Sequence, residues 1–307
     1  MEQPNKVFRY QQFSALSIDA LCHDQLYFAN PKDFNDPFDC SPSVMSDSDI
    51  HELRQILTEQ IQKRVEAETL SSLDKAKAYW EGAEAHASRM GRQSAEAEIA
   101  NIAYYATDPS HNGKVEEYES WLLTIGIQSE LLKQYDKGIC CFSSSDLNPL
   151  LWSHYGDQHR GFCVGYSLNR SPKPNLHKVN YGSDRIVHTS VIAKAVIEGN
   201  PKYQQNLDEN VLLRKAPPWS YEEEWRLLGR RGIQDSVLMI EEVTFGLRCP
   251  AAVMHSIISA LENRSEKVKF YEMYQTRDSF TLKKRSVDDE IMHHLPRTAR
   301  SGIEIFG

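Results

Sequence analysis

GICCFSSSDLNPLLWSHYGDQHRGFCVGYSL, residues 138–168, decides the fold class. Two short apolar runs, GICCFS and GFCVGYSL, are bounded by Gly, Ser and Asn and read as strands. The intervening NPLLWSHYGD reads as a helix. A strand, a short helix and a second strand point to a mixed architecture.

Toward the C-terminus the same mixture continues. HKVNYG is extended in character, residues 199–214 are helical, and Trp219–Leu228 and Val237–Gly246 read as strands. Ala251–Leu261 predicts a helix with Val253, Ile257, Ile258 and Leu261 inward, after which VKFYEMYQ and SFTLKK alternate like strands. The tail after Ser286 is polar and is expected to be loosely ordered. Toward the N-terminus, VFRYQQF is aromatic and extended, and Leu16, Ile18 and Leu21 suggest a short helix before LYFANP. Asn35, Asp36 and Pro37 form a turn, because Asn-Asp favours side-chain-capped turns and Pro fixes φ.

Residues 46–134 differ. Ile50, Leu53, Leu57, Ile61 and Val65 recur at steps of three and four, widened by Ile56, with Ser46 and Asp49 as a candidate capping box. Alanine-rich sequence follows, with Ile99, Ile102, Ala103 and Ala106 on one face. A last amphipathic segment runs through Val115, Tyr118, Leu122 and Ile125. The expected fold class is therefore α+β, with a central, largely antiparallel sheet, flanking helices and a helical insertion. The expected divisions are 1–45 as the N-terminal part of the core, 46–136 as the insertion, 137–286 as the main core and 287–307 as a polar tail.

The chain has 307 residues, 40% hydrophobic and 25% charged, an ordinary globular composition. A net charge of −8 argues against holding nucleic acid by bulk charge, which needs clustered Lys and Arg. No apolar window is long enough to span a bilayer, and MEQPNKVFRYQQF lacks a signal core, so a cytoplasmic protein without membrane attachment is expected. None of the six cysteines falls in a CxxC pair, which predicts buried reduced thiols and no metal.

Four segments carry candidate chemistry. Arg9-Tyr10 offers a guanidinium fork for phosphate or carboxylate, or simply a surface arginine. FNDPFD, residues 34–39, sets Asn35 and Asp36 in a turn, either capped and anchored by Phe34 and Phe38 or lining a site. WSHYGDQHRGF, residues 152–162, gathers Trp152, His154, Tyr155, Asp157 and His159; the alternatives are a polar connection with Trp152 and Tyr155 inward, or a pocket lined by His154 or Tyr155. In WSYEEEWRL, residues 219–227, extended geometry would put Glu222, Glu224 and Arg226 on one face. That face must be solvated or line a cleft; if desolvated, neighbouring carboxylates suit acid–base work.

FRYQQF, LYFANPKDFNDPFDC, the CFS of 141–143, LLWSHYGDQHRGFCVGY, VNYG and WSYEEEWRL together resemble a bacterial family known as domain of unknown function 2971. That resemblance spans roughly residues 6–40 and 137–285 and implies no activity. The order of an early-strand Arg, a strand ending in Ser and a late Glu-x-Glu is also similar to the pattern of ADP-ribosyltransferases. This second resemblance implies an NAD-consuming enzyme, a toxin or phage-defence effector, with a dinucleotide substrate. It would give Arg9 the phosphates or ribose, and Ser143 a contact beside the nicotinamide. Glu224 would take the ribose hydroxyl and the oxocarbenium-like transition state, Glu222 the acceptor, and Tyr10, Phe142 or Tyr155 the stacking. The run Ser143-Ser144-Ser145 departs from the usual Ser-Thr-Ser. Two other classes stay open: a metal-dependent hydrolase or nuclease using Asp36, His154, Asp157, His159 and Glu224, and a binding module with the helical block as its protein-partner surface.

Overall fold

The computed structural model describes residues 3–288 other than 112 and 136. The tail beyond 288, expected to be loosely ordered, lies outside the described residues. The chain is of the α+β class. It divides into two compact units, residues 1–33, 137–179 and 218–307, and residues 34–136 and 180–217. Elements are numbered along the whole chain.

The first unit contains β1 (Lys6–Gln11), α1 (Ala15–Cys22), β2 (Gln25–Phe28), β4 (Gly138–Ser143), α5 (Pro149–His154), β5 (Phe162–Ser167) and β6 (His177–Lys178). It continues with β10 (Glu224–Gly229), β11 (Gly232–Asp235), β12 (Met239–Phe245), α8 (Ala251–Leu261), β13 (Lys269–Gln275) and β14 (Leu282–Ser286). Eight strands form one sheet in the order β14-β13-β12-β5-β1-β4-β10-β6. Only β12 with β13 pairs in parallel, so the sheet is largely antiparallel.

All six residues of β5 are buried, because both faces of the sheet are covered there. Phe162, Val164 and Tyr166 join Val7, Phe142, Trp225, Leu227 and α8's Ile257 and Ile258 on one face. On the other face Cys163 packs with Trp152, Met273 and Leu282, with Phe8 and Tyr10 against them. Coverage on both faces is why this strand reads as a continuous apolar run rather than an alternation. Gly161, just before β5, is required by close approach: a Cβ there would lie 2.1 Å from the Gln11 carbonyl oxygen.

The second unit contains β3 (Ser43–Met45), α2 (Ile50–Lys75), α3 (Ala83–Ala106), α4 (Val115–Gln134), β7 (Asn180–Tyr181), β8 (Ile186–His188), α6 (Thr189–Val196), α7 (Pro201–Leu212) and β9 (Arg214–Lys215). Leu53, Ile56, Leu57 and Ile61 of α2 are buried, as their spacing predicts. Asp49, not Ser46, is the N-cap, its carboxylate accepting from the Glu52 N–H. In α3 the buried Ala83, Ala87, Gly91 and Ala95 recur every four residues and let the helix lie close to α2.

The inward face of α4 corrects the sequence expectation. Leu123, Ile127 and Leu131 are buried, whereas Val115 and Ile125 are exposed. The same face buries Glu119 and Glu130, which Arg54 and Arg64 of α2 engage at 2.9 and 2.6 Å. Two neutralised carboxylates on the buried side disguised it as the polar one. Helix α6 had no sequence forecast. Among the described residues, no helix is long and apolar enough to cross a membrane.

Candidate functional site

The site in the first unit is built by three neighbouring strands. Ser143 at the end of β4 pairs with Phe8 of β1 and with Glu224 of β10, and Cys141 pairs with Arg226. Directly paired residues share a face of a sheet. Phe8, Tyr10, Cys141, Ser143, Glu224 and Arg226 therefore lie on one side. Arg9 falls on the other by alternation, where its Nη1 donates to Cys140 Sγ at 3.0 Å and its Nη2 to the Tyr27 carbonyl at 3.1 Å. The structure brings Ser143 and Glu224 together and keeps Arg9 away from them.

Glu224 is held by its own strand. Arg226, fully buried, donates from Nε to Oε1 at 2.7 Å and from Nη2 to Oε2 at 3.1 Å, a two-pronged contact between same-face neighbours. The expected continuous strand over 219–228 is not formed. Pro217–Glu222 is a 3-10 turn, and Glu223 takes a positive φ of 46° before β10 begins at Glu224. Strict alternation of Glu222 and Glu224 is thereby lost, and both are buried rather than solvated. Glu223, exposed at the corner, accepts a hydrogen bond from the Ser144 hydroxyl. A non-glycine residue held at positive φ stores strain of about 1 kcal/mol or more.

Helix α5 comes against this corner. Asn148 caps it by accepting from the Leu150 N–H at 2.9 Å, and donates from its amide to the Tyr221 carbonyl at 2.8 Å. One Asn thus fixes both the helix start and the 3-10 turn. The helix aims Trp152 inward, where its indole N–H donates to the Asp146 carbonyl at 2.8 Å and Tyr10 meets it edge-on at 5.1 Å. Tyr10 also donates to the Ser145 carbonyl at 2.9 Å, and burial pushes its phenol up. One residue past the helix, the Tyr155 hydroxyl donates to Glu222 Oε1 at 2.7 Å.

Around that contact lies a run of rings. Tyr155 neighbours His154 at 6.3 Å, His154 neighbours Tyr221 at 6.5 Å, and Tyr221 neighbours Trp219 at 6.1 Å. His154 is exposed, and the other three are part-exposed. Trp219 and Tyr221 were visible in WSYEEEWRL as aromatics framing carboxylates. Asn148 carried no signal beyond its place before Pro149.

The remaining candidates disperse. Asp157, Gln158 and His159 take φ of 49°, 53° and 68°, a left-handed turn that leads the chain into β5. His159 stacks on Trp152 at 6.1 Å, and burial together with Arg248 lowers its imidazole pKa. Asn35 and Asp36 belong to the second unit. There Asp36 is buried and accepts from the Phe38 N–H at 2.9 Å, the capped turn that the sequence allowed. Among the described residues, no group of three or more His, Cys, Asp or Glu is placed to hold a metal ion.

Fold and site together define an α+β protein with a carboxylate and aromatic site at a strand corner. Residues 151–227, which carry the end of α5, β5 and WSYEEEWRL, match the family described as Protein of unknown function (DUF2971), bearing out that resemblance. No curated protein and no solved structure matches the chain.

Proposed function

We propose that the chain is an ADP-ribosyltransferase-like enzyme that consumes NAD at the corner of β4, α5 and β10. The observation that carries this reading is the Tyr155–Glu222 contact at 2.7 Å, beside the ring series Tyr155, His154, Tyr221 and Trp219. The nicotinamide of NAD is a flat ring bearing positive charge. Aromatic faces and a carboxylate attract such a ring through its charge as well as its surface.

In the reaction the bond between ribose C1′ and the nicotinamide nitrogen breaks. Its electron pair leaves with nicotinamide, and positive charge builds on the ribose. Glu222 is the carboxylate placed to stabilise that charge, with Tyr155 orienting it. A nucleophile then bonds to C1′ and sheds its proton. Glu224, gripped by Arg226, holds the strand corner and lies opposite Ser143. The roles of the two glutamates are thus exchanged relative to those implied by the family resemblance, and Arg9 takes none.

The test is nicotinamide release from NAD by the purified chain, with water or lysate proteins as acceptors. Glu222→Gln should retain NAD binding and lose release by about a hundredfold or more, the scale of one lost electrostatic contact to the transition state. Absence of both release and NAD binding in the parent protein would sink the proposal.

A further inference from the structure

VNYG, residues 179–182, is the motif that the site above leaves unused. Its last residue, Gly182, borders a cavity of about 260 Å³ within the second unit, lined by the loop Gly182–Arg185, by Phe38 and Pro42, and by Arg214–Pro217. Two short parallel ribbons hold its walls: β7 pairs with β9, which sets Arg214, and β8 pairs with β3, which ends the loop.

The charges around it are unevenly satisfied. Lys215 is buried and paired with Asp39 at 3.3 Å. Asp184 spends a carboxylate oxygen on the Ile186 N–H at 2.7 Å. Arg185 donates from Nη1 to the Ser41 carbonyl at 3.3 Å and lies over the Phe38 ring at 4.9 Å. Arg214 donates from Nη1 to the Asp184 carbonyl at 2.9 Å. Among the described residues no carboxylate pairs with either guanidinium. Backbone carbonyls fix one nitrogen of each fork and leave the others to a ligand. Fixing a planar fork without neutralising it is the arrangement that suits bidentate recognition of an oxyanion.

Pro42, Val211, Ala216 and Pro217 supply apolar wall, and Ser41, Ser183 and Asn210 add polar groups beside it. A cavity of this size falls just under the roughly 300–1,000 Å³ of drug-sized-ligand sites, which sets a small ligand. We infer that this cavity binds a small phosphomonoester, its phosphate held by Arg185 and Arg214 and its apolar or ring body seated on Phe38 and the prolines. This site is separate from the NAD reading and does not depend on it.

The test is calorimetric titration of the full-length protein with phenyl phosphate, inorganic phosphate and phenol. Phenyl phosphate should bind saturably at one site, inorganic phosphate more weakly, and phenol not at all. Arg185→Met and Arg214→Met should each weaken phenyl phosphate by at least about tenfold, the cost of a charged hydrogen bond. Gly182→Leu supplies a second handle. Gly182 borders the cavity and a Cβ there meets no atom within 4 Å, so the larger side chain adds bulk at its lining without forcing the fold, and binding should weaken. Any nicotinamide release should persist in all three variants, which keeps the two sites distinguishable. The inference is overturned if the parent protein shows no saturable binding of phenyl phosphate at millimolar concentration. It is equally overturned if binding survives unchanged in Gly182→Leu or in both arginine variants while their thermal melts match the parent.

Discussion

Arg226→Met gives the sharpest test of how the strand corner is held. Arg226 has no exposed surface, Glu224 is 3% exposed, and the two meet through hydrogen bonds of 2.7 and 3.1 Å. Methionine keeps much of the volume but removes the guanidinium, so the buried Glu224 carboxylate loses these two charged hydrogen bonds. Removing one member of a buried pair costs about 3–5 kcal/mol, a large share of the roughly 5–15 kcal/mol that holds a domain folded. At about 2–4 °C per kcal/mol, the melting midpoint of the first unit should fall by about 6–20 °C. Replacing both residues, Glu224→Leu with Arg226→Met, removes the buried carboxylate as well and should recover part of the loss. The assay is thermal and urea unfolding followed by circular dichroism for the parent, each single variant and the double variant. An Arg226→Met variant within about 1 kcal/mol of the parent, or a double variant less stable than Arg226→Met, would refute a stabilising role for this pair.

Acid should loosen both units at identifiable contacts. At Glu242 burial works to raise the carboxyl, but hydrogen bonds from Lys284 and Lys6 outweigh it and hold it below its usual 4.5; Arg64 and Lys133 do the same for Glu130. A folded pKa below the unfolded one means that this stabilisation is complete above about pH 4.5 and drains away as pH falls through the lowered values. Urea midpoints should therefore drop below that pH, and less steeply in Lys284→Met; equal slopes would contradict the assignment. Thiol labelling should find Cys22 first, since it is exposed, whereas burial pushes the Cys140 and Cys163 thiols up and shields them. One fast-reacting thiol is expected in the native protein, lost in Cys22→Ser, and two or more fast thiols would refute it.

Much of the local structure was legible because it rests on periodicity and turn chemistry. The apolar runs GICCFS and GFCVGYSL became β4 and β5, and the three-and-four spacing of Leu53, Leu57 and Ile61 became the buried stripe of α2. The expectation of buried thiols holds for Cys40, Cys140 and Cys163 but not for Cys22, whose position at the end of the short α1 leaves it in solvent. The α4 error shows where such patterns fail: a buried glutamate paired with an arginine on another helix looks, in sequence, like a solvent-facing residue.

Site geometry belonged to tertiary structure. Sequence order placed Arg9, Ser143 and Glu224 in a suggestive series, but strand register decided that only two of them share a face. Three consecutive glutamates read as extended strand until a 3-10 turn and the positive φ of Glu223 broke the alternation, which is set by backbone torsions that a tripeptide of identical residues does not encode. Tyr155 reaches Glu222 across 67 positions because Asn148 ties α5 to the Tyr221 carbonyl. In the sequence by itself, periodicity and turn chemistry mark most of the strands and helices, but not the 3-10 turn at Pro217–Glu222 or helix α6, and mark the residues that are chemically able. Only the packed sheet decided which of them meet, since alternation along a strand is local while pairing between strands joins residues far apart in the chain.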